Sequence, residues 1–224
     1  MKAIQDVSFS LEEPEALGIL GPNGAGKTTL FNLIGGDLMP DAGRVVLGGR
    51  DITRLAPHKR CRAGIGRCYQ IPHPFSGMTV FENLLAAAVF GGNQTEAEAS
   101  VTSIGILARV GLTSRVNQLA GSLTLLDRKR LELGRALATA PRVLLLDEIA
   151  GGLTEHEANA LVRTIQDVRA QGIAIVWIEH VIHVLVACVS RLIVMNFGEV
   201  IAEGDPREVI ATSEVQRVYL GIEA

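Results

Sequence analysis

Residues 21–29 of the chain read GPNGAGKTT and carry the G-x-x-x-x-G-K-[ST] spacing of a phosphate-binding loop. Backbone N–H groups in such a loop curl around phosphates, so side chains must be absent where the backbone comes close. Lys27 supplies a cation for the β- and γ-phosphates, and Thr28 offers a hydroxyl to Mg²⁺. A glycine-rich turn without a ligand is the alternative interpretation. The residues predicted to bind ATP are Gly21, Asn23, Gly24, Ala25, Gly26, Lys27, Thr28 and Thr29.

A second group of candidate residues lies where an apolar run of four residues, 143–146, is followed by Asp147 and Glu148. At the carboxyl edge of an open α/β sheet, where ligands bind, Asp147 would hold Mg²⁺ directly or through water. Glu148 would polarise the attacking water as a general base. Strands often end in acidic residues, so the pattern alone is weak. Its combination with the phosphate loop favours the catalytic interpretation.

The elements around these residues alternate between strand and helix patterns, which predicts an α/β fold with a mainly parallel sheet of the P-loop NTPase kind. Continuous apolar runs of strand length are typical of buried parallel strands. From Thr79 the pattern becomes helical for about 60 residues and predicts three consecutive helices, at 79–90, 95–112 and 124–140. We therefore expect one domain over 1–224, with a nucleotide-binding core (1–78 and 141–224), a helical subdomain (79–140) and a small antiparallel β part. Strands are predicted at 7–11, 16–20, 64–70, 142–148 and 172–180, a strand and turn at 44–52, and a strand pair turning at 196–198. Helices are predicted at 27–34 and at 156–171, with Gly172 after the end of the second.

Composition excludes several other classes of protein. The 224 residues are 48% hydrophobic and carry a net charge of −3, so no basic surface for nucleic acid or for a membrane is expected. The three cysteines fit no zinc or redox spacing. Acidic residues interrupt the N-terminus, so no signal peptide is expected there. The apolar stretch 181–195 contains Arg191 and is too interrupted to span a bilayer. A membrane function would therefore need a partner protein.

With these motifs in order, the chain resembles the ATP-binding subunits of ABC transporters over nearly its whole length. The order is the phosphate loop, Gln70 at a strand end, the helical insertion, LLLDE at 144–148, and His180 after the next strand. The ATPases of bacterial branched-chain amino acid importers are the most similar group, on GPNGAGKTTLFNLIGG, GIGRCYQ, PFSGMTVFENLL, RLELGRALATAPRVLLLDE and EVQRVYLG. The resemblance implies a subunit that dimerises head to tail, as a homo- or heterodimer, with two ATP molecules between the subunits.

The resemblance assigns roles to two residues that the sequence alone would leave as polar strand ends. Gln70 would touch Mg²⁺ or the attacking water and respond to transmembrane permease subunits. His180 would contact the γ-phosphate and steady the transition state. The segment 71–78, with two prolines and Phe75, would receive a coupling helix of the permease; the alternative is an apolar loop packed on its own helical lobe. The subunit would then be cytoplasmic and peripheral, bound to the inner face of the cell membrane through the permease.

The sequence LTLLD at 123–127 departs from the Leu-Ser-Gly-Gly-Gln signature that is usual at this place. In the family that signature opens a helix whose Ser hydroxyl and Gly amides bind the γ-phosphate of the opposite subunit. Thr124 keeps a hydroxyl, the two leucines add bulk, and Asp127 places a negative charge where Gln is usual. Thr124-x-x-Asp127 also matches a helix-capping pattern, so we expect an altered site whose helix start survives. Thr124 is retained as a candidate ATP-binding residue.

Two further departures lie elsewhere. The family usually has an upstream aromatic residue that stacks on adenine, whereas Phe9 is expected to face the core, so base stacking is expected to be lost. Ile149 replaces the usual Pro, and GGLT at 151–154 is expected to weaken contact between the two active sites through Thr154.

The function expected from the resemblance is ATP hydrolysis that powers an importer, for branched-chain or related amino acids or amides. One alternative is a nucleotide-binding clamp with little turnover, supported by LTLLD and the missing aromatic. Another is a soluble ABC protein of DNA repair or translation, which usually carries two such domains or long coiled-coil insertions. Cargo selection is expected in other subunits.

Overall fold

The computed structural model describes residues 3–220 and, among these, the side chains up to Val218. The end of the EVQRVYLG segment, Gly221, lies outside the described residues. The strands are β1 (Ala16–Leu20), β2 (Val46–Leu47), β3 (Arg50–Asp51), β4 (Ile65–Cys68), β5 (Val143–Asp147), β6 (Ala174–Ile178), β7 (Arg191–Asn196) and β8 (Glu199–Gly204). The helices are α1 (Lys27–Gly35), α2 (Pro57–Ala63), α3 (Val80–Phe90), α4 (Glu96–Arg109), α5 (Leu125–Ala138), α6 (Glu155–Ala170), α7 (Ile182–Cys188), α8 (Pro206–Ala211) and α9 (Ser213–Val215), which continues into a π-helical turn (Gln216–Leu220).

Six strands form one sheet in the order β4–β5–β6–β1–β7–β8. The first five run parallel, and β8 returns antiparallel to β7 through a turn at 196–198. β2 and β3 form a separate antiparallel hairpin. The predicted fold class is confirmed, because the sheet is mainly parallel and carries a small antiparallel part.

The central strands are buried on both faces, which explains their uninterrupted apolar sequences. Successive residues of a strand point to opposite faces of the sheet. In β5, Leu144 and Leu146 enter the core cluster that includes the long helices, whereas Leu145 enters the cluster under α1. β1 between β6 and β7 is buried at all five positions. The phosphate loop therefore starts from the middle of a rigid layer.

The segment between β4 and β5 contains the three long helices expected from Thr79 onward. Threonine caps all three: Thr79 and Thr95 form complete capping boxes, and Thr124 accepts from the third residue of α5. The helices pack on one another and on the same core cluster as β5. Because β4 and β5 are neighbours in the sheet, the insertion returns the chain beside its starting point. The division into core and helical subdomain stays a prediction.

The prediction of a strand at 7–11 is wrong. Its alternating residues Val7, Phe9 and Leu11 do pack against the core cluster under α1, as expected for Phe9. The segment nevertheless lies in no strand. Just before it, Gln5 donates its N–H to the Gly198 carbonyl at 2.7 Å. The alternation of apolar residues therefore indicated which side chains face the core, but not a hydrogen-bonded strand.

Helix α2 was not expected, because PHKRCRA has no apolar stripe. Its fully buried side chain is Arg60, whose guanidinium donates to the carbonyls of Leu33, Ile34, Thr53 and Leu55 at 2.5–3.0 Å. A charged side chain thus replaces the usual apolar contact between α2 and the core.

Among the residues that the structure describes, no helix is long and apolar enough to cross a membrane.

Candidate functional site

The phosphate loop joins β1 to α1 and owes its shape to glycines. Gly26, the residue before α1, has φ +100, and a Cβ there would lie 2.6 Å from the Ala3 carbonyl oxygen. A Cβ at Gly21 would lie 2.2 Å from the carbonyl oxygen of Met195 on β7. Side chains at these positions would therefore displace the neighbouring backbone. Of the other predicted residues, Ala25 is buried, Thr29 is half-buried, and Asn23, Gly24 and Thr28 are exposed.

Lys27 lies across the loop that precedes it. Its side chain is buried, and Nζ donates to the carbonyl oxygens of Gly21 at 2.6 Å and Pro22 at 3.0 Å. Burial lowers the pKa of the Lys27 ammonium, while the negative charges of Glu148 and Asp147 act in the opposite direction. The cation of the loop and the acidic pair after β5 therefore share one site.

Both carboxylate oxygens of Glu148 contact side chains of residues that follow the neighbouring strands. His180 Nε2 lies 2.6 Å from Oε1, and the side-chain amide of Gln70 donates to Oε2. Gln70 follows β4, Glu148 follows β5 and His180 follows β6, three strands that are adjacent in the sheet. The structure thus brings together the three residues predicted to be catalytic. The backbone of Glu148 is left-handed, with φ +47, a conformation that costs free energy in a residue other than glycine.

Asp147 faces an arginine that the sequence did not single out. Arg67 Nη2 lies 3.4 Å from Asp147 Oδ2, and Nη1 lies 2.8 Å from Asp37 Oδ2. The same guanidinium carbon lies 4.6 Å from the centre of the Tyr69 ring. Burial raises the pKa of the Asp147 carboxyl, and the charge of Arg67 opposes that rise. A residue inside a strand, such as Arg67 in β4, carries no pattern that would mark it from sequence.

The donor chemistry suits a hard divalent cation. A Thr28 hydroxyl, an Asp147 carboxylate and a Gln70 amide oxygen are ligands of the kind that Mg²⁺ prefers, completed by water and phosphate oxygens. No group of three or more His, Cys, Asp or Glu side chains able to hold a metal occurs among the described residues. Binding of Mg²⁺ by Thr28, Asp147 and Gln70 stays a prediction.

Two buried charged residues behind the site were also missed. Glu179 is 1% exposed and accepts from the backbone N–H of Ala150 at 2.7 Å and of His180 at 3.2 Å. Burial raises the pKa of the Glu179 carboxyl. Lys129 of α5 is 5% exposed, with Nζ near the carbonyl oxygens of Gln70 and Glu148. A charged residue within an apolar or helical pattern is ordinarily read as exposed, so burial at these positions is visible only in the fold.

The LTLLD segment starts α5 in the way its capping pattern predicts. The Thr124 hydroxyl accepts the Asp127 N–H at 3.2 Å, so it is engaged at its own helix. The Asp127 carboxylate lies 3.4 Å from Arg130 and 3.6 Å from Arg115, so its negative charge is paired. Leu125 packs on Gly152, where a Cβ would lie 3.3 Å from a Leu125 methyl. The helix start survives, with a bulkier and charge-compensated surface.

Thr154, at the end of GGLT, is the N-cap of α6. Its hydroxyl accepts the Glu157 N–H at 3.4 Å, and the Glu157 carboxylate accepts the Thr154 N–H at 2.9 Å. Ile149, in place of the usual Pro, is buried. This loop is therefore held by its own subunit at both ends.

The segment 71–78 exposes apolar side chains beside the site. Ile71 is 66% exposed and Phe75 is 52% exposed. The Phe75 N–H donates to the Asn83 side chain at 2.8 Å, and the guanidinium of Arg135 lies 5.1 Å from the Phe75 ring centre. Contacts with Asn83 and Arg135 thus hold the loop on the side of the helices, while the side chains of Ile71 and Phe75 remain exposed.

Comparison with known proteins adds a family to this geometry. A family model described as "ABC transporter" matches residues 4–151. The branched-chain amino acid transport ATP-binding proteins BraF of Pseudomonas aeruginosa and LivG of Salmonella typhimurium are 34% and 35% identical, with 98% of this chain and 92% of each relative covered. The lipopolysaccharide export ATP-binding protein LptB of Haemophilus influenzae is 33% identical, with 98% and 91% covered.

Solved structures agree in fold over the same length. A nucleotide-free ATP-binding cassette from an ABC transporter superposes with a TM-score of 0.88 at 30% identity, covering 99% of this chain and 93% of the other. An ATP-binding cassette of an ABC transporter in its ADP conformation gives 0.88 at 32% identity, covering 98% and 93%. Nearly all of the described chain is therefore of one known architecture.

Proposed function

Because the chain belongs to the ABC transporter family and is an ATPase subunit of it, we propose that it powers an importer of branched-chain or related amino acids or amides. ATP binding to the phosphate loop would close a dimer, and hydrolysis would reopen it. The single observation that carries the ATPase part of the proposal is Glu148 held between Gln70 and His180 beside that loop, whereas the cargo rests on likeness to the amino acid importers.

Each residue of the site has a role in this proposal. Glu148 accepts a proton from the attacking water, as a general base must lie within hydrogen-bond reach of its partner. His180 contacts the γ-phosphate, and Lys27 leaves its loop carbonyls to neutralise the β- and γ-phosphates. Thr28, Asp147 and Gln70 would hold Mg²⁺, which supplies positive charge to the phosphates.

A second ATPase subunit completes the site in this proposal. Thr124 and the first amides of α5 would face the ATP bound by the opposite subunit, in a homo- or heterodimer. Asp127 does not present a free negative charge to that phosphate, because Arg130 and Arg115 pair with it. The exposed face of segment 71–78 would receive the permease and so place the subunit on the inner face of the membrane. No role with nucleic acid is proposed.

A second candidate cargo has its own support. The LptB relative, from a lipopolysaccharide export system, is 33% identical, against 34% and 35% for BraF and LivG. Motif likeness favours the importer, and identity alone does not separate the two.

Steady-state Mg-ATP turnover by the purified chain, beside Lys27→Ala and Glu148→Gln, tests the ATPase part. Turnover that both substitutions abolish is expected. Nucleotide binding without turnover would favour the clamp interpretation, unless the second ATPase subunit restores activity.

Reconstitution with its permease tests the cargo. ATP-dependent uptake of leucine or a small amide into vesicles is expected. Stimulation by lipopolysaccharide instead, without uptake, would replace the importer with the export candidate.

A further inference from the structure

We propose that Lys129 is a positioning residue that ties the Gln70 segment to Glu148 and so aligns the catalytic glutamate. This inference rests on the ATPase function proposed above. Lys129 lies on α5, five residues after Thr124, and its side chain reaches from the helical segment into the edge of the sheet.

The contacts of Lys129 are with backbone on both sides of the site. Nζ lies 3.4 Å from the carbonyl oxygen of Gln70 and 3.5 Å from that of Glu148. These two residues follow different strands, β4 and β5, and their side chains meet in the Gln70–Glu148 hydrogen bond. One ammonium therefore spans the backbones of two residues whose side chains are themselves bonded.

Burial makes these contacts consequential. Lys129 is 5% exposed, so its ammonium has little access to water, and an unpaired buried cation is costly. The charged and titratable groups that act on it are Glu179, Glu148 and Cys68. The Glu179 carboxylate in turn accepts from the N–H of Ala150 and His180. Lys129 thus lies among the groups that fix the backbone around Glu148.

Neighbouring residues of α5 hold the same segment. Burial raises the pKa of the Glu132 carboxyl, three residues on, and the backbones of Tyr69 and His73 oppose that rise. Arg135, a further three residues on, donates to the His73 carbonyl at 2.8 Å. A row at i, i+3 and i+6 of α5 therefore follows the segment that leads to 71–78. Of the three, Lys129 is the residue that also reaches Glu148.

The consequence is mechanical. Displacement of the 71–78 segment relative to β5 would pull Lys129 away from one of its two carbonyls. The left-handed backbone of Glu148 would then lose one of the contacts that maintain it. Lys129 is thereby placed to pass movement at the exposed loop to the general base.

Turnover and ATP affinity of the full chain, with Lys129→Arg, Lys129→Gln and Lys129→Met, test the assignment. Lys129→Met is expected to lower kcat roughly tenfold, less than the roughly 10²- to 10⁴-fold effect of removing a general base, because Glu148 stays present but is misplaced, with KM for Mg-ATP within about twofold of wild type. Lys129→Arg, which keeps charge and donors, is expected to retain most of kcat. Lys59→Met, on the exposed face of α2, is the matched control and should turn over as wild type does.

Wild-type kcat in Lys129→Met would overturn the inference, and so would equal losses in the Arg and Met variants, since packing would then explain them. A rise in KM with unchanged kcat would point to nucleotide binding and also overturn it. If Lys129→Met fails to fold, Lys129→Gln is judged by the same criteria. A silent wild type that binds ATP is a failure of the proposed ATPase, not of Lys129, and is recognised before any variant is compared.

Discussion

At the scale of single residues, Glu148 combines an unfavourable backbone with a fully partnered carboxylate. Its φ of +47 is held by its N–H, which donates to the Ile178 carbonyl at 2.9 Å, and by the side-chain bonds to Gln70 and His180. Strain of this kind persists where surrounding contacts over-determine it. The position of the carboxylate is thus set by three neighbouring strands.

Replacement of Glu148 by Gln keeps the shape of the side chain and an oxygen for the bond to His180, while removing the proposed general base. Turnover is expected to fall roughly 10²- to 10⁴-fold, the usual contribution of general base catalysis, with ATP binding retained. Single-turnover hydrolysis and nucleotide binding measure the two effects separately. Glu199→Gln, on the exposed end of β8, is the control. Substantial turnover by Glu148→Gln would remove Glu148 from the reaction.

At the scale of elements, the threonine that begins α5, Thr124, is both a helix cap and a candidate ATP-binding residue. Thr124 caps its own helix, as Thr95 caps α4 away from the site. Loss of either cap should cost about 1 kcal/mol of stability. Comparing the loss of Thr124 with the loss of Thr95 therefore separates the effect of capping from any direct part of Thr124 in catalysis.

Thr124→Ala and Thr95→Ala are each expected to lower the free energy of unfolding by about 1 kcal/mol. Only Thr124→Ala should also lower ATP turnover, because its hydroxyl faces the ATP of the opposite subunit in the proposed dimer. Urea unfolding and steady-state turnover are the measurements. Equal turnover in both variants would reduce Thr124 to a cap.

Arg60 makes α2 depend on one guanidinium. Arg60→Met leaves four partly buried carbonyl oxygens without their charged donor, so we expect the free energy of unfolding to fall by about 3 kcal/mol. Arg62→Met, which loses one exposed bond to the Phe90 carbonyl, should cost well under 1 kcal/mol and serves as control. Similar losses in the two variants would show that the buried network contributes little.

The elements also show what sequence reasoning can reach. Long apolar strands and the helical pattern that begins at Thr79 are local signals, and they predicted the sheet and α3 to α5. Arg60 concealed α2 because a buried charge breaks the apolar pattern. Gln70 and His180 needed the family likeness, since polar strand ends are common. Arg67, Lys129 and Glu179 owe their importance to distances between segments far apart in the chain, which no local pattern encodes.

At the scale of the whole molecule, Arg191 fastens the N-terminal segment to the far side of the sheet. Its guanidinium bonds Glu15 at 2.7 Å and also contacts Glu203 and the Ser10 carbonyl. Hydrogen bonds from Arg191 lower the pKa of the Glu15 carboxyl. A carboxyl with a lowered folded-state pKa stabilises the fold above its unfolded pKa, and this contribution is lost as pH falls through the folded value.

Arg191→Met is therefore expected to cost about 1 kcal/mol at pH 7, and the cost should shrink at a pH below the lowered pKa of Glu15, because the wild-type carboxyl is then protonated as well. Unfolding in urea can be followed by the fluorescence of Trp177, the single tryptophan of the chain, buried in β6. Arg142→Met, which removes an exposed pair with Glu13, should change little at either pH. A cost for Arg191→Met that does not vary with pH would exclude Glu15 as its source.

If Lys27 neutralises the phosphates as proposed, its bonds to Gly21 and Pro22 mean that ATP binds by exchanging the contacts of the ammonium. The ammonium already donates to two carbonyl oxygens of its own loop. An incoming phosphate must therefore replace these two hydrogen bonds before it can bind the cation. Measured affinity is then a difference between two states of one side chain. Removing Lys27 would remove both the proposed partner of the phosphate and the two bonds to the loop carbonyls. Because those two bonds are given up on binding in the wild type, the measured loss of affinity would be smaller than the interaction between Lys27 and the bound nucleotide.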